Sequence, residues 1–447
     1  MEKRQDLWSS KLGFILSTAG AAIGLGAIWK TPYVTGMNGG GAFFLVFVIL
    51  TLLIGLPMLL SEFIIGRSTG KEAISAYKQL APRSLWVWIG RIGVIGCFLL
   101  LSFYGVVGGW VLIYTLKSLT GGVIGDQVNY VALFGETISS PSTTLLGLGL
   151  FIAINVFVLA GGIQAGIERA NKILMPLLFL FFIAIVIRSL TLPGAMEGVK
   201  FFLMPSFENM TSQAFLYALG QSFFSLAVGF SCMVTYSSYL KKDVSLVSSA
   251  NSVVWMNIFV SLLAGLAIFP VVFSFGLQPD EGPGLLFMVL PEAFGQMAFG
   301  QLFLALFLLL FLFATLTSSF SLFEIIIAAL TARGKERRIP TTLTIGLIVF
   351  IAAIPSALSS STLADFSIFN RSVFDLTDFV VSNVLLPLGS LLIAIFIGWK
   401  MNKALVKEEF LTANRHGERL FNVWYYGMMK FFVPIVIAIV LVISLKG

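Results

Sequence analysis

The sequence has one histidine, His416, in 447 residues. It lies in a charged stretch outside every apolar run, which argues against His-based catalytic triads and His metal clusters. There are two cysteines, Cys97 and Cys232, both inside apolar runs, so no structural disulfide is expected. Charge is scarce as well. Only 11% of residues are charged, against 58% hydrophobic, and mean hydropathy is +0.98. Soluble domains carry about 25% charged residues, so water is the wrong solvent for this chain. The opening MEKRQDLW and a glycine-interrupted first apolar run do not resemble a cleavable signal peptide. A net charge of +7 is spread over many short loops, as membrane topology requires, so no nucleic-acid partner is expected.

What is present is a series of long apolar runs. A helical crossing takes about 20 such residues. Eleven crossings are read near 11–36, 41–66, 86–117, 144–163, 167–188, 213–240, 246–277, 300–331, 342–358, 374–400 and 424–446. These are helices 1 to 11 below. The segment 278–299 is too short and polar to cross and is expected to dip back over the outer mouth. Most Lys and Arg fall in alternate loops, whereas 118–143 and 278–299 hold none. That asymmetry places the N-terminus in the cytoplasm, and an odd number of crossings places the C-terminus outside. The chain is thus expected to be one all-α membrane domain, 1–447. Its two halves, 11–188 and 213–400, form a 5+5 inverted-repeat bundle, and 424–446 is an additional helix.

Helix 1 carries Gly20, Gly24 and Gly26 at its middle, and helix 6 carries Gly229 among small and hydroxylated neighbours. Each glycine weakens a helix by about 1 kcal/mol relative to alanine. Glycines in membrane helices often serve only close packing. Interrupted spans at matching positions in two halves point instead to a transporter whose site lies at the breaks. Freed carbonyls there can hold a desolvated cation, and freed amides can hold a carboxylate.

The residues resemble the neurotransmitter:sodium symporter family, in its bacterial amino-acid branch, along nearly the whole chain. The markers are AGAAIGLGAIWKTP (19–32), NGGGAF (38–43), SEFIIGR (61–67), Tyr104 with Trp110, QSFFSLAVGF (221–230), TYSSY (235–239) and ATLTSSF (314–320). The resemblance implies sodium-coupled symport of neutral, hydrophobic L-amino acids, aliphatic and aromatic, across a bacterial cell membrane. It implies two sodium ions. One would lie between helices 1 and 8, held by the carbonyls of Gly20, Ile23 and Ala314 and the hydroxyls of Thr317 and Ser318. The other would use the Ala22 carbonyl, Ser225, Asn257 and the substrate carboxylate. Ala27 stands where the family usually has Asn, removing one side-chain ligand.

By the same resemblance the amides of Leu25 and Gly26 and the Tyr104 hydroxyl face the substrate carboxylate. Gly24 leaves room for that carboxylate, where monoamine carriers of the family place an Asp. Leu100, Phe224, Ala227, Phe230, Ser318 and Leu322 would line the side-chain pocket. No charged residue points there, so a charged side chain would be desolvated without a partner. Lys30 and Asp378 would form an outer gate, with Phe230 and Tyr104 as its lid. At the inner gate Gln5 replaces an Arg and Ala332 an acid, with Arg4 as a possible substitute for the former. Ser261 replaces an acid often found in helix 7, so chloride dependence is not assigned. Gly166 and Pro176 in helix 5 suggest an inner half that unwinds. Glu62 and Glu324 are read as structural, near the inner ends of helices 2 and 8, with proton binding as the alternative.

A channel would need a continuous polar pore, and the mid-span polar groups are sparse. An intramembrane enzyme would need a nucleophile with a base or a metal set. A proton-coupled or sodium-independent amino-acid carrier of the same fold is the nearer rival.

Overall fold

Backbone groups in hydrocarbon have no water to bond, so long apolar runs close their hydrogen bonds along a helix. The computed structural model describes residues 7–125, 128–208, 210–278, 282–331, 338–413 and 417–444, and among these no strand is present. Nine continuous helices among the described residues are long and apolar enough to cross a membrane. They are helices 2 (Gly41–Thr69), 3 (Val87–Leu119), 4 (Pro141–Ala160), 5 (Ile163–Leu190), 7 (Leu246–Ser274), 8 (Gly300–Thr331), 9 (Arg338–Ala357), 10 (Val373–Lys400) and 11 (Glu418–Ile443).

Two further expected crossings, helices 1 and 6, are each in two pieces. Helix 1 comprises Lys11–Ala22 and Gly26–Met37, bent by 51°. Ser10 starts it, its hydroxyl accepting from the Gly13 amide at 3.0 Å, an ordinary N-cap. Helix 6 comprises Ser212–Leu226 and Cys232–Ser238. Between them Ala227, Gly229 and Ser231 have φ of 52°, 104° and 58°. Three left-handed residues within 227–231 cannot continue a right-handed helix.

Burial sorts the helices into a centre and a rim. The most apolar stretches of helices 3, 7 and 8 are 72% buried, against 22% for helix 11. A helix apolar all round and buried is a core element, and one mostly exposed faces lipid. Helix 11 therefore sits at the periphery. The segment after 281 holds no helix long enough to cross. It forms the short helices Gly282–Leu286 and Val289–Gly295, with Phe287 and Leu290 fully buried. Arg67 ties helix 2 to the helix Lys403–Leu411. Its Nε lies 2.6 Å from Glu409 Oε2, and its guanidinium also donates to the Glu409 and Val244 carbonyls.

Helix 5 is wound through both Gly166 and Pro176, with a wide turn over Ile163–Glu168. A Cβ on Gly166 would lie 2.1 Å from the Val158 carbonyl oxygen, so that glycine serves close packing against helix 4. Cys97 and Cys232 are buried free thiols whose Sγ atoms lie 3.2 Å apart.

Candidate functional site

The two breaks face one another. A buried cavity of about 20 Å³ is lined by Ala22, Gly24 and Gly26 of helix 1 and by Phe224, Ala227, Phe230 and Cys232 of helix 6. Leu100 and Tyr104 of helix 3, Ser318 and Leu322 of helix 8 and Leu386 of helix 10 complete it. All six residues expected of a side-chain pocket are therefore brought together. Cys232 and Leu386 were not foreseen. Neither has a distinctive motif, and each enters the lining through its helix's approach to the break.

Gly24 is required by the geometry. A Cβ there would lie 2.5 Å from Ser318 Oγ and 2.8 Å from Tyr104 Oη. The Leu25 amide points to Tyr104 Oη at 3.5 Å, and that hydroxyl reaches the Thr315 carbonyl at 3.3 Å. On the other side of the break the Gln221 amide donates to the Gly26 carbonyl at 2.6 Å and to Thr31 Oγ1 at 2.7 Å. Gln221 lies within the marker run, but its reach across to helix 1 depends on interhelical distance and is not legible in sequence.

The residues expected to hold cations form two groups. Ala22, Ser225 and Asn257 converge. Asn257 Nδ2 lies 3.4 Å from the Ala22 carbonyl and 2.8 Å from the Ser225 carbonyl, and Ser225 Oγ lies 3.3 Å from Asn257 Oδ1. Gly20 packs against Thr317, since a Cβ on Gly20 would lie 3.0 Å from Thr317 Cβ. Thr317 Oγ1 reaches the Ala314 carbonyl at 3.1 Å, and Ser318 Oγ reaches the Ala21 carbonyl at 2.9 Å. Ile23, at the end of the first piece of helix 1, uses its amide on the Ala19 carbonyl at 2.6 Å. The oxygens these residues offer are all neutral, from helices 1 and 6 near their breaks and from the facing helices 7 and 8, a set suited to an alkali cation rather than a transition metal.

Above the cavity lies a second, of about 240 Å³, whose lining includes Trp29, Lys30, Tyr33, Trp110, Phe287 and Asp378. Lys30 Nζ lies 3.8 Å from Asp378 Oδ1 and 3.5 Å from Ser382 Oγ, and it sits 4.6 Å from the centre of the Phe224 ring. Phe224 lines both cavities, so it is the ring at their boundary. Phe230, which with Tyr104 would form the lid beneath the Lys30–Asp378 pair, lies lower. Phe230 lines only the lower cavity and packs on helix 3, where a Cβ on Gly96 would lie 2.5 Å from its ring.

Glu62 also differs from expectation. It is fully buried at the helix 6 break, not at an inner end, and accepts from the Gly229 amide at 2.6 Å and the Met233 amide at 3.1 Å. Glu324 pairs with Arg338 at 2.6 Å and accepts from the Tyr239 hydroxyl at 2.9 Å. The inner-gate positions Arg4, Gln5 and Ala332, and His416, lie outside the described residues.

An all-helical, multi-pass bundle whose interrupted helices meet at a small buried cavity is the architecture of a membrane carrier. The chain belongs to the sodium:neurotransmitter symporter family, whose model matches residues 5–130 and 127–447. It is 52% identical over 440 residues to YhdH of Bacillus subtilis, described as an uncharacterized sodium-dependent transporter, covering 98% of this chain and 97% of that one. An uncharacterized sodium-dependent transporter of Haemophilus influenzae is 37% identical over 460 residues, covering 99% of each. Among solved structures, MhsT in complex with L-phenylalanine superposes with a TM-score of 0.91 at 39% identity, covering 98% of this chain and 99% of that one. The chain is thus a sodium-dependent symporter, and its relatives are transporters rather than enzymes.

Proposed function

We propose that this symporter brings neutral, hydrophobic L-amino acids, aliphatic and aromatic, into a bacterial cell by alternating access, with two sodium ions. The observation that carries the reading is the cavity at the two breaks, apolar in most of its walls, with Gly24, Gly26 and Tyr104 in its lining. The substrate carboxylate would be met by the Leu25 and Gly26 amides and the Tyr104 hydroxyl, helped by the dipole of the second piece of helix 1. Its side chain would lie against Leu100, Phe224, Ala227, Phe230, Ser318 and Leu322. No Asp, Glu, Lys or Arg lines this cavity, so a charged side chain would lose its hydration without repayment. The solved relative bound to L-phenylalanine supports the same substrate class.

One sodium ion would rest on Gly20, Ile23, Ala314, Thr317 and Ser318, and the other on Ala22, Ser225, Asn257 and the substrate carboxylate. Lys30 and Asp378 would close the outer side over Phe224. The N-terminus would lie in the cytoplasm and the C-terminus outside. The 5+5 inverted repeat with eleven crossings supplies the two arrangements that alternate, and unwinding of helix 5 near Gly166 and Pro176 would open the inner side.

Uptake of labelled amino acids into proteoliposomes, with and without an inward sodium gradient, tests this. Leucine and phenylalanine should accumulate only with sodium and compete with one another, while lysine and glutamate should not compete. Accumulation that ignores sodium, or competition by charged amino acids, would overturn the reading.

A further inference from the structure

Helix 5 contributes an unexplained oxygen to the region between helices 1 and 8. Asn171 is fully buried, and its Oδ1 has no hydrogen-bond partner. Its Nδ2 donates to the Ile167 carbonyl at 2.9 Å, which fixes the amide so that the oxygen points away from its own helix backbone. It points at helix 1. The position a Cβ on Gly20 would occupy lies 2.3 Å from Asn171 Oδ1 and 3.0 Å from Thr317 Cβ. The amide oxygen and the Thr317 side chain therefore meet at Gly20, and Gly20 and Thr317 are both among the residues proposed above for the sodium site between helices 1 and 8. Two hydroxyls just before Gly20, Ser17 Oγ and Thr18 Oγ1, are likewise buried without partners. Buried acceptors with nothing to accept from are rare, and each calls for a donor, a water or a cation.

We propose that Asn171 Oδ1 is a further ligand for the sodium ion held between helices 1 and 8, so that helix 5 takes part directly in holding and releasing it. This rests on the sodium site proposed above. The chemistry matches, because a side-chain amide oxygen is a neutral, hard donor of the kind that sodium takes from carbonyls and hydroxyls. The consequence is mechanical. Helix 5 carries Glu168 one turn earlier, and Glu168 holds the N-terminal segment through the Ser9 amide at 2.8 Å and the Ser9 hydroxyl at 2.5 Å. An ion bound to Asn171 and Gly20 bridges helices 1 and 5 one turn above that clasp. Its departure removes one tie between them and leaves the contacts of Gln164, Glu168 and Lys172 with residues 7–10.

The test is sodium binding to the purified, full-length carrier, measured with radiolabelled sodium in a scintillation proximity assay, together with the rate of sodium release. Asn171→Leu keeps the branched shape and removes the oxygen. It should weaken sodium binding by about tenfold or more and speed release. Asn171→Asp keeps an oxygen and adds charge, so it should bind sodium at least as tightly as wild type. Wild-type affinity in Asn171→Leu would overturn the proposal and leave Oδ1 to a water. Should Asn171→Leu fail to fold, Asn171→Asp decides the matter, since a loss of affinity there also overturns it. A wild-type protein that binds no sodium would instead overturn the site as a whole. Thr317→Ala separates the two failures, because it must lose the ion between helices 1 and 8 whatever Asn171 does.

Discussion

In helix 1 the interruption covers residues 23–25; the Ile23 amide is bonded to the Ala19 carbonyl at 2.6 Å, but the Leu25 amide is held loosely, 3.5 Å from Tyr104 Oη. In helix 6 it covers 227–231, and the donors are held firmly, with Glu62 accepting from Gly229 at 2.6 Å and from Met233 at 3.1 Å. Gly229 is also enclosed, since a Cβ there would lie 2.4 Å from Ser390 Oγ. Both breaks expose main-chain groups in a medium that cannot solvate them. In helix 6 the protein satisfies these donors itself and so fixes the shape of the pocket wall. In helix 1 the amide stays weakly engaged and available to cargo. The difference separates a structural break from a binding break, and it predicts that mutations at the two should fail in different assays.

The largest effect should come from the helix 6 clasp. Glu62→Leu leaves two buried amides without an acceptor, at about 1–3 kcal/mol each, so the loss of stability should be about 2–6 kcal/mol. Glu62→Gln retains one acceptor oxygen and should fall between. Thermal melting of detergent-purified protein measures both. A Glu62→Leu carrier that melts with wild type would erase the distinction between the breaks.

Next in size is the same experiment at helix 1. Tyr104→Phe removes a hydroxyl whose bond to the Leu25 amide is at the limit of hydrogen-bond length, so melting should move by less than about 1 kcal/mol. Substrate affinity should drop by roughly tenfold, because a hydrogen bond to a charged carboxylate contributes about 1.5–3 kcal/mol. Binding of labelled phenylalanine against thermal melting separates the two quantities. A fall in stability with affinity intact would make Tyr104 a structural residue like Glu62.

The two breaks also differ in how much of them the sequence carries. Gly20, Gly24 and Gly26 mark the helix 1 interruption directly, because three glycines within seven residues weaken the helix there, and the pocket residues follow from the family resemblance of the runs around the breaks. Helix 6 is marked only by Gly229. Its other left-handed positions are Ala227 and Ser231, which have no intrinsic preference for that conformation and adopt it because Glu62 and helix 10 hold the chain there. Glu62 itself is legible as a costly buried carboxylate, but its partners lie about 170 residues away on a chain with no pairing code. Asn171 and Gln221 go unread for the same reason. An amide on a membrane helix is common as interhelical glue, and only distance distinguishes one that faces a break. Phe224 and Phe230 are alike in sequence, six residues apart on either side of the interruption. The break turns the chain between them, so one ring reaches the upper cavity and the other stays below.

The smallest effect belongs to the outer pair, which belongs to neither break but sits above both. Lys30 and Asp378 are 23% and 39% exposed and 3.8 Å apart, so water screens their attraction and the pair contributes about 0.2–1 kcal/mol. The Phe224 ring holds Lys30 in place whether or not Asp378 is charged. Asp378→Asn should therefore leave melting unchanged and shift phenylalanine affinity by less than about threefold, while Lys30→Ala, which also uncovers the ring, should do more. Equilibrium binding of phenylalanine to both variants at saturating sodium makes the comparison. A tenfold loss in Asp378→Asn would place the ion pair among the groups that bind cargo rather than those that close over it. The contrast between a held break and an open one would then have to include a third element, set above them and acting on the same substrate.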